Sequence, residues 1–116
     1  MLTNPLFFNP KEENIHTYLS FIEEYLNPDE IAKLCFSSRD CIIFFTDRRI
    51  VLIPSYNTYQ PRKFEFSSIF YRHICQQTVS SSNTISTLTL HQIGGNDLIF
   101  TFNNASPIKS ILSIIH

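Results

Sequence analysis

Residues 41–54 read Cys-Ile-Ile-Phe-Phe-Thr-Asp-Arg-Arg-Ile-Val-Leu-Ile-Pro. Two runs of apolar and β-branched residues flank the polar tetrad Thr46-Asp47-Arg48-Arg49. A single helix through this stretch would set two arginines in the middle of an apolar cylinder. Two strands folded back at the tetrad place both runs in one sheet and leave the charges at its rim. The stretch thus predicts a central hairpin with strands Cys41–Thr46 and Arg49–Pro54. Ile43 and Phe45 fall on one face of it, Ile42 and Phe44 on the other. Both sets are apolar, so the strands are either covered on both faces or covered on one and joined to other copies on the other.

Outward from the hairpin, residues 30–37 predict a less regular strand around Ile31, Leu34 and Phe36, joined to it by the turn Ser38-Arg39-Asp40. Before it, Asn14 can cap a helix over residues 14–26. Ile15, Tyr18, Leu19, Ile22 and Leu26 form one apolar face, and Asn27-Pro28-Asp29 stops the helix. Residues 1–13 form a lead-in, because Pro5 and Pro10 interrupt regular hydrogen bonding. Its apolar run Leu6-Phe7-Phe8 is expected to lie on the body or on a partner.

On the other side, residues 55–61 are a loop by composition. Residues 62–67 alternate Arg62, Lys63 and Glu65 with Phe64 and Phe66, as a half-exposed strand would. Residues 67–74 make a corner leading into a strand over 74–80. Residues 84–91 predict a strand that buries Ile85, Leu88 and Leu90. Gly94-Gly95-Asn96 predicts a tight hairpin turn, since these residues accept positive φ cheaply. Residues 97–103 then place Leu98, Phe100 and Phe102 on one face. Ser106 is a suitable N-cap and Pro107 a suitable first helical residue for a C-terminal helix over 106–116. About ten residues cannot hold a helix alone in water, so this one must dock on the sheet. The expected fold class is α+β, mainly β: about seven antiparallel strands over residues 30–103, an added N-terminal helix and a C-terminal helix. Residues 14–116 are expected to form a single domain.

Composition narrows function. The chain has 116 residues, 43% of them hydrophobic and 16% charged, which suits one globular core. It carries 11 Phe and no Trp, which favours burial over polar-tipped aromatic platforms. A net charge of -1 argues against nucleic-acid binding, which needs a positive field to recruit phosphates. Cys35, Cys41 and Cys75 contain no Cys-x-x-Cys pair and are expected to be small buried hydrophobes in a reducing compartment. No signal peptide or membrane span is readable, which places the protein in the cytoplasm with at most peripheral membrane contact.

No catalytic, cofactor or metal site is expected. His16, His73, His91 and His116 are dispersed and lack helical metal spacing. His73 and Cys75 could share a strand face, but no orienting group accompanies them. The two glycines are adjacent, so no glycine-rich phosphate loop exists. The one candidate for an anion or partner site is a rim of Arg48, Arg49, Arg62 and Lys63. The competing reading is a salt-bridged edge, with Asp47 and Glu65 near in sequence.

The residues also carry a resemblance. Arg39-Asp40, an apolar strand, Thr46-Asp47-Arg48-Arg49 and a second apolar strand, followed by the corner Ser68-Ile69-Phe70-Tyr71-Arg72-His73-Ile74, are similar to the bacterial pleckstrin-homology (PH) domains, in particular their small single-domain branch of unknown function. The resemblance covers roughly residues 27–116. The family's proline after the Ser-Ile pair is Phe70 here. The resemblance implies a PH-like split β-barrel, frequent ring-shaped homo-oligomers and no enzymatic activity. Phosphoinositide-binding PH domains cluster cations on the first β-β turn. Here that turn, Ser37-Ser38-Arg39-Asp40, offers one cation beside an anion, which argues against such a ligand. The leading expectation is a non-catalytic interaction domain that self-associates and binds a protein partner. A peripheral module for anionic lipid or phosphate, using the four-residue rim, is the alternative.

Overall fold

The computed structural model describes residues 6–54 and 64–115. Its strands are β1 (Leu6–Phe8), β2 (Lys11–Glu13), β3 (Ala32–Ser37), β4 (Cys41–Thr46), β5 (Arg49–Pro54), β6 (Ser67–Phe70), β7 (Ile74–Ser81), β8 (Ser86–Gln92) and β9 (Leu98–Phe102). They form two sheets, ordered β2-β3-β4-β5-β6 and β1-β9-β8-β7. The central hairpin is β4–β5, with Ile43 opposite Leu52 and Phe44 opposite Val51. All pairings are antiparallel except β1 with β9, which is parallel.

The sheets face each other across the larger core. Phe36, Ile43, Phe45 and Ile50 meet Leu88, Leu90, Leu98, Phe100 and Phe102 there. Phe45 lies edge-on to Phe36 (centroids 5.9 Å apart) and tilted against Phe100 (5.8 Å), geometries that suit the ring quadrupole. Helix α2 (Ser106–Leu112) buries Ile108 and Ile111 in the same core. This is the docking that its short length requires.

The N-terminal segment differs from expectation. Only Ile15–Tyr18 is α-helical (α1), capped by Asn14, whose Oδ1 accepts from His16 N at 2.9 Å. Two 3-10 turns follow, Leu19–Phe21 and Glu23–Tyr25. The segment is rich in Ile, Tyr, Thr and Phe and has no Ala, so its intrinsic helix preference is weak. Packing on the sheet decides its path instead. Fully buried Ile22 joins Ile42, Phe44, Val51 and Ile53 in a second cluster, with Leu19, Phe21, Phe64 and Phe66 packed around it. The outer face of the β4–β5 hairpin is thus covered by the chain's own residues. Of the two arrangements its pattern allowed, the structure takes the one covered on both faces.

The lead-in is also more ordered than its prolines suggest. Pro10 falls between β1 and β2, so both three-residue strands keep their amide protons. Phe7 is buried and stacks on Phe100 with centroids 4.9 Å apart. The described residues therefore hold nine strands: seven between residues 30 and 103 (β3–β9), as expected, and two more in the lead-in. Ile85 is exposed, because β8 begins only at Ser86. Residues 64–66 precede β6 instead of forming a strand, and residues 62–63 lie outside the described residues. Ser106 is the first residue of α2 and Ala105 its N-cap, without a side-chain cap bond; Asn104 Oδ1, one residue earlier, accepts from Ser106 N at 3.0 Å. Gly94 takes φ +68°, as the predicted turn requires.

Candidate functional site

The polar tetrad builds the most connected polar site among the described residues. Thr46 is fully buried at the end of β4. Its Oγ1 donates to Glu30 Oε2 (2.7 Å) and accepts from the N–H groups of Arg48 and Arg49 (both 3.0 Å). The turn is thereby fixed by a side chain that the sequence placed at its start. Arg49 opposes Phe70 in the β5–β6 register and turns inward. Its Nε and Nη2 donate to the two oxygens of Glu30, each at 2.9 Å. The Glu30 side chain is 0% exposed and that of Arg49 10%. Nη2 also donates to the Tyr25 carbonyl, and Nη1 to Ser68 Oγ. Asn27 N donates to Glu30 Oε1 at 3.1 Å.

Burial pushes the Glu30 carboxyl up. Hydrogen bonds from Arg49, Thr46 and the Asn27 amide, with the Arg49 charge, outweigh that and leave it below its ordinary value. Tyr71 closes the cluster from beneath, its hydroxyl donating to the Thr46 carbonyl at 2.6 Å. The cluster ties three parts of the chain together: the end of the N-terminal segment, the hairpin turn and the β6 corner.

Of the four rim residues, Arg49 is thus internal and neutralised by Glu30. Arg48 is ion-paired with Asp29. Arg62 and Lys63 lie outside the described residues. Asp47, expected as a salt-bridge neighbour, instead grips the chain before β3, its Oδ1 accepting from Ile31 N at 3.0 Å. The sequence missed Glu30 as the central acid. Its signal was the consecutive pair Asp29-Glu30 just after a helix stop, which nothing local joins to a tetrad nineteen residues away. A cleft of about 340 Å³ opens beside the turn, lined by Asn27, Asp47, Arg48, Phe70, Tyr71 and Arg72. The Arg72 guanidinium lies 4.8 Å from the Phe70 ring centre.

The corner that follows contains a 3-10 turn, Tyr71–His73. Phe70 enters it with φ -74°, inside the range that a proline ring would impose. The backbone here thus accommodates Phe70 where the resembling family carries proline. Beyond the corner, Cys75 does not meet His73. Its Sγ contacts the His91 carbonyl at 3.4 Å, while the His91 ring bonds Thr78 and Asp97. Cys75 is exposed, contrary to expectation. Cys35 and Cys41 are buried, and burial raises their thiols to about 12 and about 11.

A second surface has no counterpart in the sequence reading. Registers across the β1-β9-β8-β7 sheet align Leu6, Ile99, Thr89 and Thr78 in one row, and Phe8, Thr101, Thr87 and Ser80 in the next. The alternating residues Phe7, Leu88 and Phe100 point into the core, so these eight face outward. None is charged. Leu6 is 60% exposed and Phe8 69%. The result is a flat, threonine-rich face with an apolar end. Among the described residues, no group of three or more His, Cys, Asp or Glu could hold a metal ion. No helix among them is long and apolar enough to cross a membrane.

A five-stranded sheet facing a four-stranded one, joined by a short corner and closed by a C-terminal helix, is the pleckstrin-homology fold. Solved structures agree with that assignment. A DUF1696 family protein with a pleckstrin-homology domain from Shewanella loihica PV-4 superposes with a TM-score of 0.73, at 19% identity, over 93% of this chain and 98% of that one. A pleckstrin-homology domain from Shewanella amazonensis SB2B superposes with a TM-score of 0.62, at 20% identity, over 91% of this chain and 88% of that one. No protein-family model and no curated protein matches the sequence.

Proposed function

We propose that this protein is a non-catalytic PH-like interaction domain that self-associates and binds a protein partner. The observation that carries the reading is the pair of uncharged rows on the outer face of the β1-β9-β8-β7 sheet, with Leu6 and Phe8 exposed at one end. Exposed apolar side chains beside hydroxyl-bearing β-branched ones suit a surface that loses its water to another protein. The densest polar cluster, around Glu30 and Arg49, is engaged in internal bonds, which suits a structural role for it. A photo-crosslinking amino acid at position 8 tests the reading in the producing cell. Adducts heavier than the 13.5 kDa chain support it. Recovery of the uncrosslinked chain alone counts against it.

One observation favours a second reading. The cleft beside the tetrad brings Arg48 and Arg72 to one opening, so a phosphate or anionic headgroup has two guanidinium groups within that lining. In this form the anion reading uses Arg48 from the sequence-derived rim, with Arg72 in place of the neutralised Arg49. Co-sedimentation with anionic vesicles discriminates the two readings.

A further inference from the structure

The apolar stripe of the N-terminal segment is only half used. Ile22 is fully buried against the β4–β5 hairpin, but Ile15, Leu19 and Leu26 are half-buried. Their free sides, with Ala32, floor a cleft of about 450 Å³ between the segment and the start of β3. Pro28 and Ile31 form its exposed lip. Ile31 is 54% exposed, yet it is firmly held. Its N–H donates to Asp47 Oδ1 at 3.0 Å, and its carbonyl accepts from Asp47 N at 2.9 Å. The hairpin turn thus holds an isoleucine out in water at the edge of an apolar cleft.

The same bonds decide what kind of chain can enter. Both main-chain polar groups of Ile31 are engaged by Asp47. β2 leaves β3 after Glu13, opposite Cys35, and the stretch of β3 that this uncovers is bulged, its register against β4 shifting between Ala32 and Leu34. A bulge discourages strand addition. Recognition here therefore falls to side chains, which is how a helix fits a groove. A small molecule fits less well, because ligand sites bury roughly 70–90% of what they hold, and a cleft with an exposed lip does not close over one. A helix covers floor and lip together.

Charge fixes the other side of the occupant. Among the described residues no Lys or Arg lines the cleft, and Glu23 stands exposed on its rim. Residues 11–33, which surround it, hold six carboxylates and two lysines. Arg48 and Arg49 neutralise Asp29 and Glu30, which still leaves acid in excess. We propose that the cleft seats a basic amphipathic helix of a partner protein. Its apolar side chains at i, i+3 and i+7 enter between Leu19 and Ile31, and its lysines or arginines face Glu23 and Glu24. This rests on the partner-binding reading above and gives the partner a surface of its own. The cleft lies on the covered side of the five-stranded sheet, away from the threonine rows, so partner binding and self-association do not compete for one face.

The probe is a fluorescein-labelled synthetic helix with leucines at i, i+3, i+4 and i+7 and lysines elsewhere, titrated with the full chain. A scrambled peptide of the same composition keeps the charge and loses the stripe. Fluorescence anisotropy is expected to show saturable binding of the striped peptide, weakened by salt, and none of the scrambled one. Ile31→Asp and Glu23→Lys, both at exposed positions, are each expected to weaken binding at least about tenfold. Amide signals that move on titration are expected at Ile15, Leu19, Ile31 and Ala32. Equal binding by the wild type and both variants, or shifts confined to Thr87, Thr89 and Thr101, puts the peptide elsewhere and overturns the assignment. Octylammonium that moves the cleft amides where the peptide does not makes this a small-molecule site and overturns it too. So does a striped peptide that fails to bind. Photo-adducts at position 8 that persist in that case leave the interaction reading standing, and their absence removes both.

Discussion

Removing the Glu30 carboxylate tests what holds the N-terminal segment to the hairpin. Glu30→Ala strips Arg49 of both charge-assisted bonds in a site where its side chain is only 10% exposed. It also deprives the Asn27 amide of its acceptor and leaves the Thr46 hydroxyl only the longer bond to the Arg49 carbonyl at 3.2 Å. Breaking one side of a buried pair leaves an uncompensated charge and costs about 3–5 kcal/mol. That is a large part of the roughly 5–15 kcal/mol that stabilises a typical domain. Urea unfolding followed by circular dichroism reads the loss as a lower midpoint at unchanged slope. Replacing both partners by apolar residues, Glu30→Leu with Arg49→Met, removes the stranded charge. The double variant is expected to recover much of the loss, because a hydrophobic replacement of a buried pair is often close to neutral. A Glu30→Ala cost below about 1 kcal/mol, the range of exposed pairs, would refute the reasoning. So would a double variant whose loss equals the sum of the two single ones.

Further outcomes follow from the same geometry. Glu30 titrates below its ordinary value of 4.5 in the folded state, so its stabilisation is complete above that value and disappears as pH falls through the lower folded one. Wild-type stability should therefore drop in that acid range, and Glu30→Gln should show a shallower drop in the same urea titrations. A thiol reagent applied to native protein at neutral pH should modify exposed Cys75 first, and reach Cys35 and Cys41 only on unfolding; mass spectrometry of the labelled peptides counts the sites. If the cleft beside the tetrad binds anions, Arg48→Ala with Arg72→Ala should abolish co-sedimentation with anionic vesicles, and added salt should weaken binding by the wild type. Equal binding by both proteins removes that site.

The parts of the fold legible in sequence were those with strong local patterns. The runs on either side of Thr46-Asp47-Arg48-Arg49 became β4 and β5 at their expected ends. Leu98, Phe100 and Phe102 became the inward face of β9. Gly94 marked its turn. What escaped depended on contacts far apart in the chain. Parallel pairing of Leu6–Phe8 with β9 has no local signature, because its partner lies about ninety residues on. The apolar stripe through Ile15, Leu19 and Ile22 correctly marked a buried side, yet tertiary packing bent it into 3-10 turns. At the tetrad, sequence showed cations at a turn but not that Arg49 faces inward, since that follows from register with β6 and from the approach of Glu30. The outer threonine face was invisible for the same reason: its rows exist only across four strands.

Absolute mass in solution, by light scattering after size exclusion, tests the central claim most directly. A self-associating domain predicts a particle of two or more 13.5 kDa chains that dissociates on dilution. A single 13.5 kDa chain at every concentration would contradict it, and attention would pass to Arg48, Arg72 and the cleft between them.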